Sequence, residues 1–173
     1  MIRAFRPADW PALWEILRPI IRAGETYCLP VEMDEAAARE MWLGPPTTRV
    51  SVAEIEGRIL GTGHMGPNRP GPGAHVANAS YMVAPEAQGR GVGRALVRDS
   101  LSWVAREGFA GLQFNAVAET NRGAIKLYRD LGFGILGTVP GGFAHPREGR
   151  VGLHVMYRPA DEADAAFDKE ITA

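Results

Sequence analysis

Three glycines alternate with other residues between a predicted strand and the clearest predicted helix, in the segment Gln88-Gly89-Arg90-Gly91-Val92-Gly93-Arg94. Glycine lets a backbone approach a ligand closely, and the unpaired N–H groups at the start of a helix attract an anion such as a phosphate. The dinucleotide fingerprint would need a third glycine where Arg94 stands, and a Walker loop would need Gly-Lys-Ser/Thr, so neither motif is met. A turn that serves only close packing is the alternative. We favour a phosphate-binding turn, because three glycines cost conformational entropy that packing alone rarely requires.

Hydrophobic periodicity places this turn within a mixed series of strands and helices. A first helix, capped by Asp9 and ended by Gly24, has one apolar face formed by Leu13, Ile16, Leu17 and Ile20. Further helices are predicted over Glu35–Leu43, Gly91–Glu107 and Asn121–Leu131. Strands are predicted over Ile2–Arg6, Val50–Ile55, Ile59–Met65, His75–Ala84, Leu112–Ala118, Phe133–Val139 and Val151–Tyr157, with a plain hairpin loop at Gly141–His145. Four strands thus precede the main helix, which excludes a strictly alternating Rossmann fold and favours a mixed sheet flanked by helices.

Length and composition exclude several classes of protein. The chain has 173 residues, enough for one domain, and its 19 Lys and Arg against 20 Asp and Glu argue against a nucleic-acid or membrane-surface binder. The single cysteine, Cys28, excludes an internal disulfide and a cysteine-cluster zinc site, and the four histidines lack zinc-binding spacing, so no metal is expected. No apolar run has the length of a signal peptide or of a membrane span. We therefore expect a soluble, cytoplasmic protein.

Two motifs in this order resemble the GCN5-related N-acetyltransferase (GNAT) family. Gln88-x-x-Gly91-x-Gly93, after Val83-x-Pro85-Glu86, is similar to the family's acetyl-CoA signature, Arg/Gln-x-x-Gly-x-Gly/Ala. The second motif comprises Asn121, Ala124, Tyr128 and Leu131-Gly132-Phe133. The resemblance covers residues 1–158 as an N-acetyltransferase domain and leaves 159–173 as a polar C-terminal tail. It implies an α/β fold (mixed α+β) with a central, mostly antiparallel mixed sheet of six to seven strands and about four flanking helices.

The resemblance also implies acetyl-CoA as co-substrate and a role for each matching residue. Backbone amides of the glycine turn would bind the pyrophosphate, the Val83 N–H would polarise the acetyl carbonyl, and Tyr128 would protonate the leaving thiolate. The implied cofactor-binding residues are Met82, Val83, Gln88, Gly89, Arg90, Gly91, Val92, Gly93, Arg94 and Asn121. For Tyr128 the alternative is a core aromatic, and for Asn121 it is a plain N-cap.

One departure from the family pattern concerns the proton acceptor. Many phosphinothricin-type relatives carry a glutamate where Asn78 stands, and an amide cannot take a proton from an ammonium group. Segments around Asn78, Asn115 and Asn121 instead resemble fungal acetyltransferases of azetidine-2-carboxylate, in which matching asparagines hold the imino acid. Tyr27 would line the same cleft. The alternative is that Asn78 and Asn115 satisfy buried backbone groups of their strands.

The expected function is therefore acetyl transfer, by direct attack in a ternary complex, to a small amino-acid-like amine such as a proline analogue. Three alternatives stay open, namely a phosphinothricin or methionine-sulfoximine acetyltransferase, a non-catalytic acetyl-CoA-binding module, and an enzyme that acetylates a protein N-terminus or lysine. Neither a nucleic acid nor a membrane is an expected partner. Dimers are common in the small-molecule branches of the family, so the resemblance leaves a homodimer open.

Overall fold

A computed structural model describes residues 1–167 of the chain. Its strands are β1 (Ile2–Ala4), β2 (Arg49–Ile55), β3 (Arg58–Pro67), β4 (Val76–Val83), β5 (Gly111–Ala118), β6 (Gly134–His145) and β7 (Gly149–Pro159). Its α-helices over this range are α1 (Trp10–Ala23), α2 (Glu35–Leu43), α3 (Val92–Arg106) and α4 (Arg122–Asp130). The strands form one seven-stranded sheet in the order β1-β2-β3-β4-β5-β7-β6, in which β4 and β5 are parallel and the other neighbours antiparallel. This architecture confirms the predicted fold class.

Helices cover both faces of the sheet, and two adjacent residues of β3 show which helix lies where. A Cβ added to Gly61 would approach Val92 and Leu96 of α3 within 2.8 and 3.1 Å. The next residue, Thr62, accepts a hydrogen bond from the Trp42 indole of α2 at 3.1 Å. Successive side chains of a strand point to opposite faces. Thus α3 covers one face of the sheet and α2 the other, and α1 packs on the α2 side in the same buried cluster.

The two halves of the sheet diverge between β4 and β5. These strands pair only where Val76–Asn78 faces Gly111–Gln113, although β4 continues to Val83 and β5 to Ala118. The Ala84 N–H donates to the Leu60 carbonyl of β3 at 2.9 Å. Because backbone polar groups alternate in direction along a strand, Met82 also turns its N–H and C=O toward β3, whereas Tyr81 and Val83 turn theirs into the gap. A row of strand backbone thus borders an opening in the sheet.

Several local expectations were correct and two were not. Gly24 is left-handed (φ 62°) and ends α1, and Asp34 caps α2 by accepting from the Ala37 N–H at 2.8 Å. Asp9 precedes α1 but does not cap it, because its carboxylate accepts from the Arg3 guanidinium at 2.7 and 2.9 Å and from the Arg6 N–H at 2.7 Å.

The predicted hairpin loop was placed too early in the chain. Residues 141–145 belong to β6, where a register shift between Val139 and Phe143 accommodates the glycine pair, and the turn to β7 occupies residues 146–148. A short 3-10 segment, Glu162–Phe167, follows β7, and Asp164 pairs with Arg158 at 2.7 Å. The rest of the predicted tail, 168–173, lies outside the described residues. Over the described part of the chain, every helix is too short or too polar to cross a bilayer.

Candidate active site

A cavity of about 550 Å³ opens at the diverging strands, bordered by β4, the glycine turn, α3, α4 and the loop after α1. Most of the residues predicted from the sequence to form the site line this cavity. They are Tyr27, Met82, Val83, Gln88, Gly89, Gly91, Gly93, Arg94, Asn121 and Tyr128. The described lining does not include Asn78, Arg90, Val92 or Asn115.

The glycine turn presents unpaired amides to this cavity. Gly89 and Gly91 are left-handed (φ 74° and 83°), and a Cβ added to either would meet nothing within 4 Å. The first hydrogen bond of α3 runs from the Ala95 N–H to the Gly91 carbonyl at 3.0 Å. The amides of residues 92–94 come before this bond and so have no partner within the helix. Open space and free donors at a helix start are what a phosphate requires.

Two residues of the turn act differently from the expectation. The Val92 side chain is buried in the core, so only its backbone amide can reach a ligand. The Arg90 N–H already donates to the Ala87 carbonyl at 3.3 Å, and its exposed side chain does not line the cavity. The turn therefore offers fewer amides than its length suggests.

Arg94 faces the cavity beside an acidic partner. Its guanidinium pairs with Asp130 at 3.0 Å, and Lys126 contacts the same carboxylate at 2.9 Å. Hydrogen bonds from Lys126 and then from Arg94 lower the pKa of Asp130 below its ordinary value. A phosphate bound here would thus contact a guanidinium whose positive charge Asp130 partly neutralises.

Tyr128 lies where an aromatic core cluster meets the cavity. Its ring centroid is 4.3 Å from that of Phe114 and 5.8 Å from that of Phe133. Burial raises the pKa of the Tyr128 phenol, which holds the group in the protonated form that a general acid requires. The residue therefore fits both of its predicted interpretations, because one side of the ring packs in the core while the residue lines the cavity.

Asn121 both caps a helix and lines the cavity. Its side-chain carbonyl accepts from the Ala124 N–H at 3.3 Å and so caps α4, while the residue lines the cavity. The apolar face of α4 adds Ala124 and Leu127 to the same wall. Ala124, Leu127 and Tyr128 stand at i, i+3 and i+4, a spacing that puts them on one face of the helix.

Tyr27 closes one end of the gap. Its hydroxyl donates to the Tyr81 carbonyl, one of the backbone groups that β4 turns away from β3. Burial is the main cause that raises the pKa of the Tyr27 phenol, so the group stays a hydrogen-bond donor. The resemblance named Met82 and Val83 on this strand as cofactor-binding residues, and Tyr81 was not among them. By strand alternation, the backbone of Met82 bonds toward β3, whereas Tyr81 and Val83 turn theirs toward the gap.

The strand asparagines form a chain of side-chain amides on the α2 face of the sheet. Asn78 donates to the Gln113 main-chain carbonyl at 2.8 Å, Gln113 donates to the Asn115 side chain at 2.8 Å, and Asn115 donates to Asn68 at 2.7 Å. Asn78 thus shows the contact expected of an amide that satisfies a strand backbone group. Gln113 and Asn68 had no recognisable motif in the sequence.

The lining contains no carboxylate and no imidazole among the described residues. Glu25, in the loop after α1, pairs with Arg147 of the β6–β7 turn at 2.8 Å. His64 is partly buried against the Trp42 ring, with centroids 4.4 Å apart, and this burial lowers its pKa to about 4. Within residues 1–167, no group of three or more His, Cys, Asp or Glu side chains is arranged to hold a metal ion.

The chain is similar to known acetyltransferases both in sequence and in structure. The family model described as the acetyltransferase (GNAT) family matches residues 10–133 of the chain. A solved GCN5-related N-acetyltransferase from Kribbella flavida is 53% identical, with a TM-score of 0.88, over 92% of this chain and 96% of that one. A phosphinothricin acetyltransferase from Sinorhizobium meliloti, solved in complex with AcCoA, is 25% identical, with a TM-score of 0.81, over 94% of this chain and 89% of that one.

A curated relative covers less of the chain. N-acetyltransferase aca1 from Schizosaccharomyces pombe is 31% identical over 106 residues, which are 61% of this chain and 47% of that protein. The chain spans less than half the length of each curated relative that it matches.

Proposed function

Because this chain belongs to the GNAT acetyltransferase family, we propose that it transfers an acetyl group from acetyl-CoA to a small amino-acid-like amine, such as a proline analogue. The amine would attack the thioester directly in a ternary complex. The observation that supports this most is the convergence of three features on one cavity: the glycine turn, the phenol of Tyr128 and the gap-facing backbone of β4.

The residues present fit acetyl-CoA. The glycine turn leaves open space where a Cβ would stand on Gly89 or Gly91, and the amides at the start of α3 are free to bind a pyrophosphate. The gap-facing groups of Tyr81 and Val83 would pair with the amides of the pantetheine arm. When bound, acetyl-CoA supplies the activated acetyl group. The Val83 N–H would then polarise its carbonyl, and Asn121 would contact the cofactor from α4.

Two proton transfers would accompany the reaction, one from Tyr128 to the thiolate and one from the amine to water. The protonated phenol of Tyr128 would give its proton to the departing thiolate. The amine would lose its proton to water, because the described lining supplies neither a carboxylate nor an imidazole. We therefore expect kcat/KM to rise with pH up to the pKa of the amine itself, as measured in a pH profile with two amines of different basicity.

The acceptor amine would bind at the side of the gap that lies on the same face of the sheet as α2. Tyr27 lines the cavity there, and the amides of Asn78 and Asn115 lie on the same face of the sheet. Polar, uncharged groups suit the nitrogen and the polar substituents of a small amino-acid-like molecule. Near-neutral charge, the single cysteine and the absence of a long apolar run in the sequence support a cytoplasmic enzyme, and a homodimer is compatible with this proposal.

A second candidate, phosphinothricin or methionine-sulfoximine acetylation, is supported by the likeness to the Sinorhizobium meliloti enzyme. A panel of amines that includes proline analogues, phosphinothricin and methionine sulfoximine would separate the two, with release of free CoA thiol as the readout. We expect turnover of at least one imino acid. Turnover of phosphinothricin alone would favour the second candidate. Tight acetyl-CoA binding in calorimetry with a silent panel would favour a non-catalytic module.

A further inference from the structure

The hydroxyl of Tyr27 has its single proton committed to the main chain. It donates to the Tyr81 carbonyl, and within residues 1–167 the structure shows no other hydrogen bond to this hydroxyl. A carbonyl oxygen can only accept, so the direction of the bond is fixed. Burial raises the pKa of the phenol, which therefore stays protonated near neutral pH. Toward a molecule in the cavity, Tyr27 can thus offer only the lone pairs of its oxygen.

This oxygen lies at the edge of the gap, on the side of the sheet that α1 and α2 cover. The Tyr81 carbonyl turns into the gap, so a hydroxyl bonded to it lies there too. Tyr27 belongs to the loop between α1 and α2 and packs against the same buried cluster as these helices. Tyr128 packs instead against the cluster that contains Val97 and Leu101 of α3. The two phenols therefore approach the cavity from opposite faces of the sheet.

We propose that the Tyr27 oxygen accepts a hydrogen bond from the N–H of the attacking amine and so directs the nitrogen lone pair at the acetyl carbon. This inference rests on the proposed acetyl transfer. A thioester whose carbonyl accepts from the Val83 N–H would lie in the gap much as a strand amide lies in a sheet, so a nucleophile must reach it from one face of the sheet. Because Tyr128 and α4 cover the α3 face, the amine would approach from the α2 face, past Tyr27.

This hydrogen bond would strengthen as the reaction proceeds. The neutral amine forms the C–N bond with its lone pair, the C–S bond breaks, and the sulfur keeps that electron pair and takes the proton of Tyr128. The nitrogen gains positive charge as the C–N bond forms, so its N–H donates more strongly to Tyr27 than in the free amine. This proton then passes to water, and water reprotonates Tyr128. A neutral imino acid has one N–H besides its lone pair, so a single acceptor is enough to direct that lone pair.

Tyr27→Phe removes the oxygen and keeps the ring. With the amine of the panel that the wild type turns over fastest, we expect kcat/KM to fall about 30-fold, whereas the Kd for CoA in calorimetry should change less than about twofold. Tyr157→Phe is the matched control, because it removes another phenol that donates to a carbonyl, that of Ala110 at 3.1 Å, outside the cavity. Glu25→Ala controls for a loosened loop, because it removes the pair with Arg147 at 2.8 Å. Both controls should keep kcat/KM near the wild-type value.

A wild-type kcat/KM in Y27F would overturn the inference, as would an equal loss in E25A or a proportional weakening of CoA binding. If Y27F does not fold, replacement of Tyr27 by 3-fluorotyrosine takes its place, because fluorine makes the hydroxyl a better donor and a poorer acceptor. We expect kcat/KM to fall in that variant, and an unchanged or raised value would mean that Tyr27 only anchors its loop. A wild-type protein that turns over no amine of the panel would refute the proposed function and this inference with it.

Discussion

At the scale of single residues, burial sets the protonation state of two phenols that line the cavity and of one histidine outside it. Burial raises the pKa of the phenols of Tyr27 and Tyr128 and so preserves both as proton donors. It lowers the pKa of His64 to about 4 and so keeps that imidazole neutral near pH 7. The two phenols of the site are therefore neutral donors, which agrees with an acid at Tyr128.

The first prediction concerns Tyr128. Replacement by phenylalanine keeps the ring packed against Phe114 and removes the hydroxyl, so we expect kcat to fall about 100-fold while the Kd for acetyl-CoA changes little. Steady-state kinetics and calorimetry would measure the two effects. Tyr157→Phe is the control, since its hydroxyl bonds to the Ala110 carbonyl at 3.1 Å, away from the cavity. An unchanged kcat in Y128F would remove the phenol from the chemistry.

A second prediction concerns the pH dependence of stability at His64. An imidazole with a folded pKa of about 4 binds its proton less readily than in the unfolded chain, where the pKa is about 6.5. The wild type should therefore lose up to about 3 kcal/mol of unfolding free energy as the pH falls from about 6.5 to about 4. His64→Phe keeps the stack on Trp42 without the titration, so urea denaturation should show a shallower loss. Parallel pH curves for the two proteins would contradict this assignment.

At the scale of elements, the glycines of the glycine turn have different roles, which the amino-acid composition alone does not distinguish. Gly91 needs its left-handed backbone (φ 83°) at the start of α3, whereas Gly93 has an ordinary helical conformation and a cavity-facing position. A Cβ on Gly93 would make ordinary contacts with Leu127 and Val83 at 3.5 and 3.8 Å. The fold therefore does not require glycine at position 93. We attribute this glycine to the space that a bound ligand needs.

The third prediction follows from this difference. Gly93→Ala should leave the melting temperature unchanged or raise it, because alanine is the better helix former, while weakening CoA binding about tenfold or more. Gly108→Ala should behave in the opposite way, because Gly108 is left-handed (φ 73°), follows the C-cap residue of α3 and lies outside the cavity. Thermal unfolding and calorimetry on both variants would test the pair. Normal CoA binding by G93A would mean that the phosphate site lies elsewhere.

Sequence patterns predicted the elements well and the site in part. Local rules were sufficient for the Asp34 cap and for the glycine turn, because both depend on neighbours along the chain. The Asn78 bond to Gln113 and the gap-facing backbone of Tyr81 depend on strand register, which joins residues far apart in sequence. Asp9 shows the same limit, since Arg3 competes successfully for a carboxylate that local rules assign to a helix cap.

At the scale of the whole molecule, a charged cluster fastens β1 to the start of α1. Asp9 is only 8% exposed, and its carboxylate accepts two bonds from Arg3, which also contacts Glu54 of β2 at 2.6 Å. The hydrogen bond from Arg3 is the main cause that lowers the pKa of Asp9 below its ordinary value. Folding therefore favours the ionised carboxylate.

The fourth prediction tests this cluster. Because the folded pKa of Asp9 is depressed, its stabilisation is present above the unfolded pKa of about 3.9 and is lost as the pH falls through the folded value. Asp9→Asn should cost about 2 kcal/mol of unfolding free energy at pH 7 and much less in strong acid, as urea titrations would measure. Glu15→Gln, in an exposed pair with Arg18, should cost under about 0.5 kcal/mol at either pH. An equal loss in D9N at both pH values would contradict this account.

The short parallel pairing of β4 with β5 also has a mechanical consequence. The chain begins in the half of the sheet that contains β1 to β4, and the last strand, β7, lies in the other half, so a pull on the two ends loads the three-residue pairing at Val76–Asn78. A ligand that bonds both halves would share that load. In optical-trap experiments, the protein should therefore unfold at a low force without ligand and at a higher force in saturating CoA.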